Sequence, residues 1–239
     1  MKLNEVLFYG RPAEDVLQIF GLSADLQGLH GCRVLDCPGG PSSFTAMLAA
    51  AGVEAVACDP LYALTNEQLR LKQADAQALM RHVGGTAESG DWLGQKHLVQ
   101  QAAFEMFLAD RDGHPRRYLD AALPCLPFPD DHFDLVCSGH LLFSYAPVEE
   151  GGLMASGGFD LNWHHSALLE LCRVSRSEVR IYPAHTNSLI AERHSYAKSL
   201  LQQLPSGWRG EFTTPCYFQG MIGCTDGLRL WRGDANQYH

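Results

Sequence analysis

Apolar positions fall along the chain in two rhythms. Short runs bounded by Gly, Pro or Asp, namely Val34-Leu35, Val53–Cys58, Phe133–Cys137 and Val179–Tyr182, read as strands buried on both faces, with another at Arg117–Leu119. Between them apolar residues recur three and four apart, the spacing of one helix face. That spacing predicts helices over 12–20 (Val16, Leu17, Ile19 and Phe20 inward, Gly21 as stop), 42–51, 66–83, 95–110, 163–174 and 188–204. Thr65-Asn-Glu-Gln has the form of a capping box for the third of these, and Gly84-Gly85 would end it. The expected inner faces are Leu98, Ala102, Phe104 and Met106 in the fourth helix and Leu168, Leu169, Leu171 and Cys172 in the fifth. Two segments near 209–217 and 228–232 read as an antiparallel edge. Strands alternating with helices give an α/β fold with a mostly parallel, doubly wound sheet, in one domain over 1–239.

One stretch carries most of the chemistry. The first strand leads into Asp36-Cys-Pro-Gly-Gly-Pro41, a turn with almost no side-chain bulk, then a helix with Ser42 or Ser43 as N-cap and Gly52 as stop. The second strand ends on a carboxylate, Asp59. Such a turn lets a ligand approach the backbone, and an acid about 20 residues on can take a pair of ribose hydroxyls. Residues 1–32 form a cap. Its helix would pack on the sheet, while Phe8-Tyr9-Gly10-Arg11 offers either core aromatics or a lid with Tyr9 or Arg11 reaching in. A parallel crossover needs only about a dozen residues, so 61–116 is a helical insertion, expected to cover a pocket at the carboxyl ends of the strands.

Composition narrows the partners to small molecules. The net charge of −9, with no dense Lys/Arg segment, argues against nucleic acid, and no apolar run approaches the ~20 residues of a membrane span. Glu5 interrupts what would be the apolar part of a signal peptide, so a cytoplasmic location is expected. The eight cysteines form no C-x-x-C pair and read as small hydrophobes rather than zinc ligands or disulfides. His164 and His165, about 100° apart on a helix, make a poor chelate, and no metal is expected.

Four ordered blocks then carry a family resemblance over residues 33–183. They are Val34-Leu-Asp-Cys-Pro-Gly-Gly-Pro, Asp59 after the second strand, Leu126-Pro-Phe-Pro-Asp-Asp-His-Phe-Asp-Leu-Val and Leu168-Leu-Glu-Leu-Cys-Arg-Val. Together they resemble the class I S-adenosylmethionine (SAM) methyltransferases. The resemblance implies a Rossmann-like seven-stranded sheet and SAM over Pro38, Gly39, Gly40 and Ser42. It puts Asp36 near the methionine end, Asp59-Pro60 at the ribose, Ala121, Ala122 and Leu123 near adenine, and Ser138–His140 beneath the sulfonium. Two departures stand out. The usual Gly-x-Gly-x-Gly turn is Pro38-Gly-Gly-Pro-Ser42, which loses an N–H at Pro38, and the acid expected before the Leu126-Pro-Phe block is replaced by Ala122. A dinucleotide-binding dehydrogenase is the fold-level rival, but its G-x-G-x-x-G fingerprint is missing.

The sulfonium of SAM activates three carbons. Aromatic faces that could hold the cation are Phe143, Tyr145, Tyr9 and Trp163, and His140 is the candidate base. Two reactions fit. One, implied by a resemblance to the azetidine-2-carboxylate synthases of this fold, is intramolecular attack of the α-amine on the γ-carbon, giving azetidine-2-carboxylate and methylthioadenosine, with Tyr145, Asn162, His140 and Tyr9 as catalytic candidates. The other is methyl transfer to a small-molecule acceptor. The chain's length, spent on core plus lid, places cyclisation narrowly ahead. A SAM-binding regulator without turnover is a third class.

Overall fold

The computed structural model describes residues 2–84, 90–218 and 221–233, the side chains of 81–84 and 90–96 excepted. In chain order the elements are α1 (Ala13–Phe20), β1 (Arg33–Asp36), α2 (Phe44–Ala50), β2 (Glu54–Cys58), α3 (Asn66–Gly84), α4 (Gly90–Gly113), β3 (Tyr118–Leu119) and β4 (Phe133–Gly139). They continue with α5 (Leu161–Val174), β5 (Ser175–Tyr182), β6 (Ile190–Ala191), α6 (Ser195–Leu201), β7 (Trp208–Thr213), β8 (Ile222–Gly223) and β9 (Gly227–Arg232). Among the described residues one seven-stranded sheet has the order β3-β2-β1-β4-β5-β9-β7. β1 to β5 are parallel, and β9 returns antiparallel between β5 and β7. This is the α/β, Rossmann-like, doubly wound arrangement that the alternation of elements predicts.

Alternation along β1 shows how two faces are filled. Val34 joins the core under α1 and α2, and Leu35 joins the core under α5 and α6. The insertion builds a third patch over β2 and β3, where Phe107 stacks on Tyr62 at 5.4 Å and meets Tyr118 edge-on at 5.3 Å. The capping box forms as predicted, with Thr65 N–H donating to Gln68 Oε1 at 3.0 Å and Gln68 N–H to Thr65 Oγ1 at 3.3 Å. Gly21 closes α1 in the left-handed conformation, φ +59°. The guanidinium of Arg180, in β5, donates to the Phe20 carbonyl and pins that end of α1 to the sheet.

Helix phase is where sequence and structure differ. α4 begins at Gly90 rather than near Gln95, and buries Gln100, Ala103, Phe104, Phe107 and Leu108. Ala102, Leu98 and Met106 are exposed instead. In α5 the buried stripe runs through His164, Ala167, Leu168, Leu171 and Cys172, and Leu169, 100° off it, is exposed. The last helix is shorter than 188–204. Thr186 folds its segment back, with Thr186 N–H donating to Glu192 O at 2.8 Å, and β6 pairs with β8. His194 then caps α6 by accepting from Tyr196 N–H at 3.1 Å. Gly85 lies outside the described residues. Cys37, Cys58, Cys137 and Cys172 are buried thiols. No described helix is long and apolar enough to cross a membrane.

Candidate functional site

The carboxyl ends of β1, β2 and β4 open into a cavity of about 590 Å³. Its floor is the turn after β1. Gly39 has no room for a side chain, because a Cβ would sit 2.5 Å from the Tyr62 hydroxyl and 2.7 Å from Ala57 Cβ. Gly40 turns at φ +53°, a region glycine enters without strain. Its carbonyl accepts from Tyr62 OH at 2.7 Å, so the bend is fixed from below. Asp59, next after β2, accepts from Gly40 N–H at 3.2 Å and from Leu61 N–H at 2.9 Å, one on each oxygen. Each oxygen keeps a second lone pair.

Two buried carboxyls therefore share the floor, Asp36 and Asp59. Burial, and secondarily the charge of Asp59, pushes Asp36 up to about 8. Burial raises Asp59 to about 6, while the Leu61 and Gly40 N–H bonds pull the other way. A site of this kind favours a cation. One wall is Ala121–Leu123. The loop after it is anchored because Leu126 N–H donates to Glu170 Oε1 at 2.6 Å and Arg173 grips the carbonyls of Leu126 and Phe128.

Leu3 and residues 5–11 form the roof. Leu3 bonds main chain to main chain with Leu153 and Ala155, and Leu7 N–H donates to the Tyr145 hydroxyl at 3.0 Å. Tyr145 is buried and its phenol is pushed up by desolvation. Tyr9 OH donates to Gln100 Oε1 at 2.8 Å, joining the roof to α4. Gly10 lies directly on the floor: a Cβ there would be 1.9 Å from the Pro41 carbonyl oxygen. Arg11 donates to the Tyr217 hydroxyl at 3.0 Å and faces His140 Nδ1 at 3.2 Å. A guanidinium cannot accept, so Nδ1 does, which puts the imidazole proton on Nε2. That tautomer does not suit His140 as a base.

The cavity brings together Tyr9, Asp36, Pro38, Gly39, Gly40, Ser42, Asp59, Pro60, Ala121, Ala122, Leu123, Gly139, His140 and Tyr145, with Trp163 stacked on Phe159. Three candidates lie elsewhere. Asn162 is exposed on α5, two residues (about 200°) from the buried His164, and so on the far side of the helix. Ser138 is buried within β4, one residue before Gly139, and strand alternation turns it away from the cavity. Phe143 is fully buried, its ring held between His164 and His194 with both centroids at 5.3 Å. From the insertion, the described residues on the wall are Leu61 and Met80.

Sequence reasoning missed Asn187, Leu153 and Met221, all on the wall. Asn187 follows a Pro-Ala-His run with no motif to mark it. Its main chain is fixed by an N–H bond to Gly151 O at 2.8 Å, and its side-chain Nδ2 is buried without a hydrogen-bond partner. Among the described residues no group of three or more His, Cys, Asp or Glu could hold a metal ion.

No protein-family model matches the chain. It is 25% identical over 190 residues, 77% of this chain and 80% of the other, to "Uncharacterized protein MJ0045" of Methanocaldococcus jannaschii. Among solved structures, magnesium protoporphyrin IX methyltransferase (ChlM) from Synechocystis PCC 6803 with bound SAH is similar at a TM-score of 0.48 and 14% identity, over 92% of this chain and 83% of that one. A SAM dependent methyltransferase from Aquifex aeolicus is similar at a TM-score of 0.41 and 14% identity, over 92% and 88%.

Proposed function

We propose that the chain binds SAM on the floor between β1 and β2 and passes its methyl group to an external small-molecule acceptor. The observation that carries the reading is the meeting, in one cavity, of a side-chain-free bend with two buried acids. Asp59 has lone pairs for two ribose hydroxyls, and Asp36 lies where a cationic amino-acid tail would offset its desolvation. Ala121–Leu123 give adenine an apolar wall with backbone groups at its edge, in place of the acid missing at Ala122. Bound there, SAM supplies a carbon activated by a sulfonium, open to a nucleophile in line with the carbon–sulfur bond.

What the chain itself does is position and exclude water. Tyr145 and Tyr9 hold the roof and lend aromatic surface, and Trp163 with Phe159 closes one side. Asn187 favours an external acceptor. A buried amide N–H without a partner costs about 1–3 kcal/mol, and nothing in SAM cyclisation requires a donor at that wall. Asn187 Nδ2 is therefore read as a contact for the acceptor. Met221 also lines the cavity, and its neighbour Ile222 is exposed and pairs with the exposed Ile190, so an apolar acceptor fits this side of the molecule.

Cyclisation stands as the second reading because of Asp36. A carboxyl raised to about 8 matches an α-amine whose pKa is about 7.7–8.0, the condition for proton exchange between them. One assay separates the readings. Protein is incubated with SAM alone and with a panel of oxygen and nitrogen nucleophiles, and products are read by mass spectrometry. S-adenosylhomocysteine appearing only with an acceptor supports methyl transfer. Methylthioadenosine with azetidine-2-carboxylate, formed without acceptor, supports cyclisation. No binding of SAM by calorimetry would sink both.

A further inference from the structure

The bend cannot hold an amino-acid carboxylate by its own backbone. Cys37 N–H donates to Cys137 O and Gly39 N–H to Cys58 O, both at 2.9 Å, and Gly40 N–H is taken by Asp59. Pro38 and Pro41 have no N–H. Of the neighbouring hydroxyls, Ser42 donates to Arg11 O at 3.0 Å and Ser43 accepts from Ala13 N–H at 2.9 Å. An anion on this floor would also face Asp36 and Asp59. A carboxylate taken out of water there needs a cation with donors to spare.

The wall carries one such group among the described residues, Arg11. Its main chain is locked to the floor by Ser42 and by the contact of Gly10 with Pro41. Its guanidinium lies 5.8 Å from the Tyr217 ring centre and makes two hydrogen bonds, to Tyr217 and His140, both neutral groups. Five N–H donors minus two leaves three. Among the described residues no carboxylate pairs with it at ion-pair distance. A cation held at a cavity wall by neutral partners, beside a bend whose own N–H groups are all taken, is arranged to receive an anion.

Resting on the SAM reading, we propose that Arg11 takes the carboxylate of the ligand's amino-acid tail, replacing the backbone N–H groups that the Pro-Gly-Gly-Pro bend has committed. Asp36 then faces the ammonium and Arg11 the carboxylate, so the tail is gripped at both charges. The residue acts from the roof, far from the bend in sequence.

The test is calorimetric, with SAM and decarboxylated SAM as probes against wild type, Arg11→Gln and Arg11→Lys. A charged hydrogen bond is worth about 1.5–3 kcal/mol, so Arg11→Gln should weaken SAM binding roughly 10- to 100-fold. Decarboxylated SAM should bind both proteins within about twofold, and Arg11→Lys should recover part of the loss. Unimpaired binding of decarboxylated SAM shows that the variant's site is folded. An equal loss for both probes would make Arg11 a structural prop, and an unchanged SAM affinity would remove it from the site; either overturns the proposal. Wild type binding neither probe would instead overturn the SAM reading itself, and this proposal with it.

Discussion

Protonation of Asp36 should govern how tightly the tail is held. With its carboxyl at about 8, about one molecule in a hundred is ionised there at pH 6, about one in ten at pH 7 and about half at pH 8. A cationic tail prefers the ionised form, so a ligand that requires it binds with its affinity reduced by that fraction. With the ligand's own amine, of pKa about 7.7–8.0, counted as well, apparent affinity for SAM should rise about eightfold from pH 6 to 7 and about two- to threefold more to pH 8, then fall as that amine loses its proton. Asp59, at about 6, steepens the lower end. Calorimetry in two buffers of different ionisation enthalpy should detect close to one proton released per SAM bound near pH 7. Asp36→Asn should abolish that release and bind at pH 8 about as weakly as wild type does at pH 6. A wild-type affinity that moves less than about twofold between pH 6 and 8 would refute the reasoning, since no cation would then be drawing on Asp36.

Other consequences are open to measurement. Gly10→Ala should lift the roof from Pro41, cost about 1–3 kcal/mol as overpacking and speed proteolysis within residues 2–11; an unchanged melting temperature and digestion pattern would contradict the contact. His194 is fully buried and, chiefly by desolvation, lowered to about 4. The unfolded chain takes up that proton near pH 6.5 and the folded chain only near 4, so stability falls as pH drops through this window. His194→Asn, which keeps the capping acceptor, should gain on wild type by about 2 kcal/mol between pH 7 and pH 5, read by urea unfolding; a gap independent of pH would show that the ring is not held neutral.

What the sequence made legible was local. The strand, bend, helix, strand and acid unit follows from side-chain volume and turn chemistry, which act over a few residues, and it appears where 33–59 place it, although Ser43 stands at the N-cap of α2 without a side-chain capping bond. The capping box at Thr65 is local in the same way. Helix faces were harder, because one residue is 100° of rotation: Leu169 and Met106 are apolar, but Ala167 and Phe107 beside them hold the inner positions. Asn162 failed for that reason, and Phe143 because a buried histidine pair offered its ring a better bed than the cavity. Asn187 and the seating of Gly10 on Pro41 rest on tertiary approach between segments that carry no common pattern. No periodicity encodes them.

The bond from Arg11 to Tyr217 spans 206 residues. The roof is made near one end of the polypeptide and steadied near the other, while the floor is complete by residue 59. A growing chain thus possesses its bend and both acids long before it owns the strut that keeps the cover seated. Cover and floor thus come from segments far apart in the sequence, and the closed cavity wall is a property of the finished molecule.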